Sequence, residues 1–456
     1  MRLASAQGRW LLAAMILGTG MAFLDGSIVS LALPAINRDL DAGVAGLQWV
    51  VNAYTLTLAA LILVGGSLGD RLGRRKVFVV GVVWFAVGSI LCAASPTIEV
   101  LVAARGLQGI GAALLTPGSL AIISASFVAE DRGKAIGVWS GMAGVTTAIG
   151  PLIGGWLVDA VGWRSIFWIN LPLAAVVVWL AIVHVPETTG EQDKLDINGA
   201  VLTAGGLAFL TYGLVEKSWM FGAIGVVVLA AFVWQQKVTP HALVPLSLFA
   251  DRVFTAANIC TFAIYGALSG SMFLLVLQLQ YVSGFTPLKA GIATIPATIL
   301  MLLFSGKAGA LGARIGPRWP MTFGPLICAL GLLLMLRIGE GASFVTDVLP
   351  ATIVFGVGIT LLVAPLTTAV LAAAPDSQTG IASGINNAVA RTASLLAVAA
   401  IPPIAGIAGS DFSKPSVFSP GFHTGILICA GMLILAGICA VSLIHGHKVS
   451  PQALAG

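Results

Sequence analysis

The chain has 456 residues, of which 58% are hydrophobic and only 9% charged, with a mean hydropathy of +1.01 and a net charge of +5. Soluble domains carry roughly 25% charged residues, so this composition excludes a soluble enzyme. Five cysteines, all in apolar runs and without CxxC spacing, indicate neither a disulfide framework nor a metal site.

A spanning helix needs about 20 mainly apolar residues. In chain order such runs lie near 10–33, 46–68, 77–95, 98–122, 135–159 and 165–184, then near 197–215 and 220–236. Six more follow near 254–277, 288–306, 319–338, 347–371, 380–409 and 421–444, giving fourteen predicted spans. Arg2 and Arg9 precede the first run, but no small-residue cleavage site follows, so a retained first helix is expected. Lys and Arg fall mostly in alternate loops, including Arg71, Arg74, Arg75, Lys76, Arg132, Lys134, Lys307, Arg314 and Arg318. This bias predicts cytoplasmic termini in a multi-pass cytoplasmic-membrane protein. It also accounts for the positive charge without nucleic acid.

The first span contains Asp25 and the fourth contains Arg105. Counting back from Pro34 puts Asp25 roughly 13 Å from the outer end, and counting from Ile98 puts Arg105 roughly 10 Å from it. An isolated charge at a helix centre costs roughly 2.5–3.5 kcal/mol on insertion scales, so the two residues are expected to have a purpose. They are a structural ion pair, or Asp25 carries a coupling proton or meets a cationic substrate while Arg105 tunes it.

Between the second and third spans, Gly66, Asp70, Arg71, Gly73, Arg74 and Arg75 lie in GSLGDRLGRR. Its glycines allow a tight turn, and Asp70 at a helix end can pair with the loop arginines or meet a helix dipole. GALGARIGPR at 309–318 repeats it after the tenth span, and GIGAALLTP at 109–117 is echoed by GVGITLLVAP at 356–365. Such repeats predict two homologous six-helix halves with the substrate site at the repeat interface. The expected organisation is 1–190, two inserted and peripheral helices in 191–240, and 241–456. Gly150, Pro151, Gly154 and Gly155 in the fifth span serve close packing or a hinge. Asn52, Thr55, Gln108, Asn258, Thr261, Tyr265 and Asn386 are predicted either to line a cavity or to bond helix to helix.

These stretches resemble a known family. GGSLGDRLGRRK matches the cytoplasmic loop signature of the major facilitator superfamily, and LVAARGLQGIGAA at 101–113 matches its fourth-helix motif. GVTTAIGPLIGGW at 144–156 resembles the antiporter signature of its fifth helix. LDGSIVSLALP at 24–34 and WRSIFWINLP at 163–172 are similar to motifs of the fourteen-helix drug:proton antiporter branch, with departures at Ser27 and Ser30, where that branch has Thr and Asn. The resemblance implies an all-α integral membrane protein of the major facilitator fold. It also implies gating by the 66–75 loop, an antiport hinge at Gly150–Gly155, and alternating access.

The expected function is proton-driven export of hydrophobic or amphipathic compounds. Export of one endogenous lipid or secondary metabolite is the alternative, and proton-coupled uptake is a more distant one. No GxxxxGK[ST] phosphate loop and no HExxH occur, so no enzyme activity, catalytic residue, metal or cofactor is expected. The proton gradient is the energy source, the expected partners are a small lipophilic substrate, protons and lipid, and the working form is a monomer.

Overall fold

The computed structural model describes residues 1–190, 196–240, 242–375, 378–407 and 414–444; His241, His445, His447 and the junction at 191–195 lie outside them. The described chain runs through α1 (Ala6–Leu40), α2 (Gly43–Leu72), α3 (Arg74–Ala93), α4 (Ile98–Ser126) and α5 (Ala129–Ala160). It continues through α6 (Ser165–Trp168), α7 (Asn170–His184), α8 (Ile197–Val215) and α9 (Trp219–Val238). After a 3-10 turn come α10 (Arg252–Leu277), α11 (Pro287–Ile292), α12 (Ile295–Ile315), α13 (Arg318–Met335), α14 (Leu349–Ala372), α15 (Thr379–Ile404) and α16 (Pro415–Leu443). Thirteen helical stretches among the described residues are long and apolar enough to cross a membrane. The predicted run at 135–159 falls inside α5, a continuous helix over Ala129–Ala160, with Glu130, Asp131, Arg132 and Lys134 in its first turns and no further charge before Asp159.

α1 is longer than the sequence indicated. Ser5 caps its start by accepting from the Gly8 N–H at 3.1 Å. Pro34 lies inside the helix, which continues to Leu40 and stops at Asp41 (φ 48°), followed by Gly43 (φ 62°). Asp25 therefore sits near the middle of α1, roughly 22 Å from that end at 1.5 Å per residue.

Two compact units are formed, one of residues 1–243 and 285–291, the other of 244–284, 292–407 and the last helix. In the first unit α4 is the hub, lying against both α2 and α3, while α1 packs on α5 and α7. Lipid tails are as apolar as leucine, so helices associate through close backbone approach. A Cβ on Gly111 would lie 2.5 Å from the Phe85 nitrogen, one on Gly81 2.8 Å from the Leu115 nitrogen, and one on Gly88 2.7 Å from the Gln108 Cα. The second unit repeats the device: α14 lies against α12 and α13, with Gly331 set 2.5 Å by the same measure from the Phe355 nitrogen and Gly356 2.5 Å from the Ala297 Cα. Gly324 and Gly331 stand at the loop-repeat offset from Gly81 and Gly88.

The inserted helices α8 and α9 belong to the first unit, where α8 packs on α2 and Trp49 donates to Glu216 at 2.9 Å. α9 is peripheral, with only Gly225 and Gln236 buried. Asp196 ties the start of α8 to the end of α9 by accepting from the Gly199 N–H at 2.8 Å, Gln236 at 2.6 Å and Gln235 at 2.8 Å. Burial opposes its ionisation, but these donors outweigh that and hold the carboxyl below its usual range.

Candidate functional site

Asp25 and Arg105 meet inside the first unit. Arg105 Nη1 lies 2.6 Å from Asp25 Oδ2, and both residues are 1% exposed. Taking two charges out of water is costly unless their remaining hydrogen-bonding capacity is met, and five further groups share that load. Gln108, one turn after Arg105 on α4, donates to Asp25 Oδ1 at 2.9 Å and to Ser89 Oγ at 2.9 Å, and accepts from Arg105 at 2.5 Å. Asn170 donates to Asp25 Oδ1 and to Ser89 Oγ, each at 3.2 Å. Arg105 Nε donates to the Val50 carbonyl at 3.1 Å, and its guanidinium lies 4.4 Å from the centre of the Tyr54 ring. α1, α2, α3, α4 and α7 thus all contribute. Asn170 Oδ1 is buried with no hydrogen-bond partner, as are both side-chain amide atoms of Asn52.

The Arg105 guanidinium thus rests on the Asp25 carboxylate, the Val50 carbonyl, the Gln108 oxygen and the Tyr54 ring together.

The 66–76 loop is held by a segment that the sequence did not single out. Gly73 ends α2 at φ 106°, a left-handed conformation that glycine accommodates best, and Arg74 pairs with Asp70 at 2.7 Å. Residues 185–190 lie across this turn. Arg74 N–H donates to the Thr188 carbonyl at 2.8 Å, and Gly190 N–H to the Asp70 carbonyl at 2.9 Å. The Glu187 carboxylate accepts from the N–H groups of Arg75 at 2.9 Å and Lys76 at 3.2 Å, capping α3 at its positive end. Glu187→Ala removes that cap. The expected result is a loss of about 1 kcal/mol locally, read as a roughly fivefold faster modification of a cysteine placed at Thr188. An unchanged rate would show that the strap holds without Glu187.

Gly150 and Gly154 lie on the α5 face against α1, where added Cβ atoms would overlap Ser27 and Ile28. Gly155 faces residues 285–291 of the same unit, 2.6 Å by that measure from the Leu288 Cα, and the Pro151 carbonyl is crowded by Gly291. WRSIFWINLP divides into separate tasks. Trp163 and Arg164 donate to Asp39 at 2.9 and 2.5 Å, fixing the end of α1. Asn170 starts α7 and enters the Asp25 cage.

The remaining polar residues are accounted for differently. Gln108 belongs to the ion-pair cage, Asn52 is fully buried, and Thr55 bonds the Val51 carbonyl of its own helix at 3.0 Å. In the second unit, Asn386 of α15 donates to Asn258 at 3.1 Å and Thr261 at 2.8 Å on α10, which joins the two helices. Tyr265 on the same helix is half-buried. Sequence reasoning missed Ser89, Tyr54 and Glu187, which carry no motif. Asn170 stood inside a recognised motif and was signalled by being a lone amide in an apolar run.

The sequence profile of the Major Facilitator Superfamily matches residues 15–398. Multidrug resistance protein Stp of Mycobacterium tuberculosis is 38% identical over 388 residues, covering 82% of this chain and 71% of that protein. The tetracenomycin C resistance and export protein of Streptomyces glaucescens is 33% identical over 405 residues, covering 86% and 74%. Among solved structures, a peptide transporter in complex with sulfate superposes with a TM-score of 0.70 at 13% identity over 97% and 96% of the two chains, a likeness of fold alone. A profile match over most of the chain, relatives above 30% identity and the helix count agree: this chain belongs to the major facilitator superfamily, in its drug-efflux branch.

Proposed function

We propose that the chain is a proton-coupled antiporter that exports hydrophobic or amphipathic compounds across the cytoplasmic membrane by alternating access. Both termini lie in the cytoplasm, the working form is a monomer, and no cofactor or catalytic step takes part. The observation that carries the coupling is the buried Asp25–Arg105 pair. A charge pair away from water is retained at a cost, and alternating exposure of an acid to the two sides is what proton exchange requires. Export of such compounds is supported by relatives named for multidrug resistance and for tetracenomycin C resistance and export. The second of those names also supports a narrower reading, in which a single metabolite is exported.

Inverted membrane vesicles test this. With an acid interior, wild-type vesicles are expected to accumulate a lipophilic fluorescent drug and to lose it when an ionophore collapses the gradient. Accumulation that ignores the gradient would refute proton coupling. No accumulation of any compound in a chemically broad panel would refute export.

A further inference from the structure

We propose that a groove between α12 and α14 in the second unit is a cargo site for an amphipathic anion, its acidic group at Lys307 and its apolar body along Leu300, Phe304 and Leu361. The inference rests on the export reading and adds to it the charge class of the cargo.

The groove has a volume of about 320 Å³, within the range of roughly 300–1,000 Å³ typical of small-molecule sites. Leu300, Phe304, Lys307 and Leu311 recur at helical spacing, so one face of α12 supplies a wall, and Val357, Thr360 and Leu361 of α14 supply the other. The helices are pinched together at both ends. Gly356 sits against Ala297, and Gly312 against Pro365 at 3.0 Å measured from its added Cβ. A bounded cleft of this size suits a compact molecule and is too small for a two-chain phospholipid.

Its polarity comes from one residue. The Thr360 hydroxyl is already bonded to the Gly356 carbonyl at 2.7 Å. Lys307 is exposed, lies 5.3 Å from the centre of the Phe304 ring, and forms no ion pair among the described residues. Helix packing does not demand a charge here, since the loop repeat aligns Lys307 with Val64. No Asp or Glu occurs in α10, α12, α13, α14, α15 or α16. A cationic cargo would find no countercharge on these helices, whereas an anion finds Lys307. The acid of α1 offers a cation nothing either, being neutralised by Arg105.

A matched pair of probes separates charge from grease: 8-anilino-1-naphthalenesulfonate and the uncharged N-phenyl-1-naphthylamine. They are titrated into the purified full-length protein in nanodiscs without any gradient. Lys307→Gln is expected to weaken sulfonate binding about tenfold, the worth of one charge-assisted contact, while binding of the uncharged probe is unchanged. Lys307→Arg should retain the sulfonate, and Val357→Trp, which fills the cleft, should lose both probes. Thermal unfolding of each variant checks folding. Equal sulfonate affinity in wild type and Lys307→Gln overturns the proposal. So does displacement of the sulfonate when phosphatidylglycerol replaces phosphatidylcholine, because the groove is then a lipid seat. Probe binding with no gradient-driven flux would refute the export reading and leave the anion site standing.

Discussion

Arg105→Ala is expected to destabilise the protein by about 3–5 kcal/mol, the cost of leaving one member of a buried ion pair without its partner. Asp25 is 1% exposed and would retain only Gln108 and Asn170 as donors, two neutral amides against a full charge. Asp25→Asn is gentler on the fold, because Arg105 keeps the Val50 carbonyl, the Gln108 oxygen and the Tyr54 ring. It removes the carboxylate to which the proposed function assigns the coupling proton. Gradient-driven transport is therefore expected to vanish in Asp25→Asn while the protein still inserts and unfolds near its normal temperature. The double variant Asp25→Asn with Arg105→Gln should unfold well above Arg105→Ala, since neither buried charge remains, and should still not transport. Thermal unfolding in detergent and flux in proteoliposomes read the two quantities separately. Normal gradient-driven flux in Asp25→Asn would remove Asp25 from the coupling mechanism.

The second large effect is expected at Gly111. A valine there would set its Cβ 2.5 Å from the Phe85 nitrogen and 2.8 Å from the Gly81 carbonyl oxygen, before its two methyl groups are placed. The obstructing atoms are backbone, so no rotamer change relieves the clash, and α3 and α4 must separate. A cost beyond about 4 kcal/mol follows, and detergent-extracted Gly111→Val should run as aggregate on gel filtration. Gly137→Val is the control. Nothing lies within 4 Å of an added Cβ at Gly137, so that variant should remain monodisperse. A monodisperse Gly111→Val would show that the α3–α4 contact is looser than its geometry.

The sequence made the fold legible because lipid imposes simple rules. Length and apolarity mark a span, and repeated glycines mark where spans touch, as Gly109 and Gly356 do in corresponding places. The Asp25–Arg105 partnership was legible too, because charges inside spans are rare enough to look for each other. Its surroundings were not. Ser89 and Tyr54 are ordinary residues in a spanning helix, and only the approach of α2 and α3 to α4 turns them into cage walls. Gln108 stood open between a cavity wall and a helix-to-helix bond, because spacing along one helix says nothing about what stands opposite. Glu187 was invisible for another reason: its partners are backbone N–H groups of a distant turn, which every sequence possesses. The end of α1 was misjudged because Pro34 is a helix breaker in water, and a spanning helix tolerates it.

The pairing of Asp25 with Arg105 also has an electrical consequence. The ion pair carries no net charge; under the proposed coupling, a proton on Asp25 leaves a single positive charge, so each reorientation with a bound proton would move charge through the membrane field. An inside-negative potential of 100 mV assists each such inward movement by about 2.3 kcal/mol. If the outgoing cargo is a monovalent anion, its exit is assisted equally, and one cycle moves two charges with the field. Such a carrier would be electrogenic and would keep working in a neutral medium, where the pH difference across the membrane has disappeared and only voltage remains.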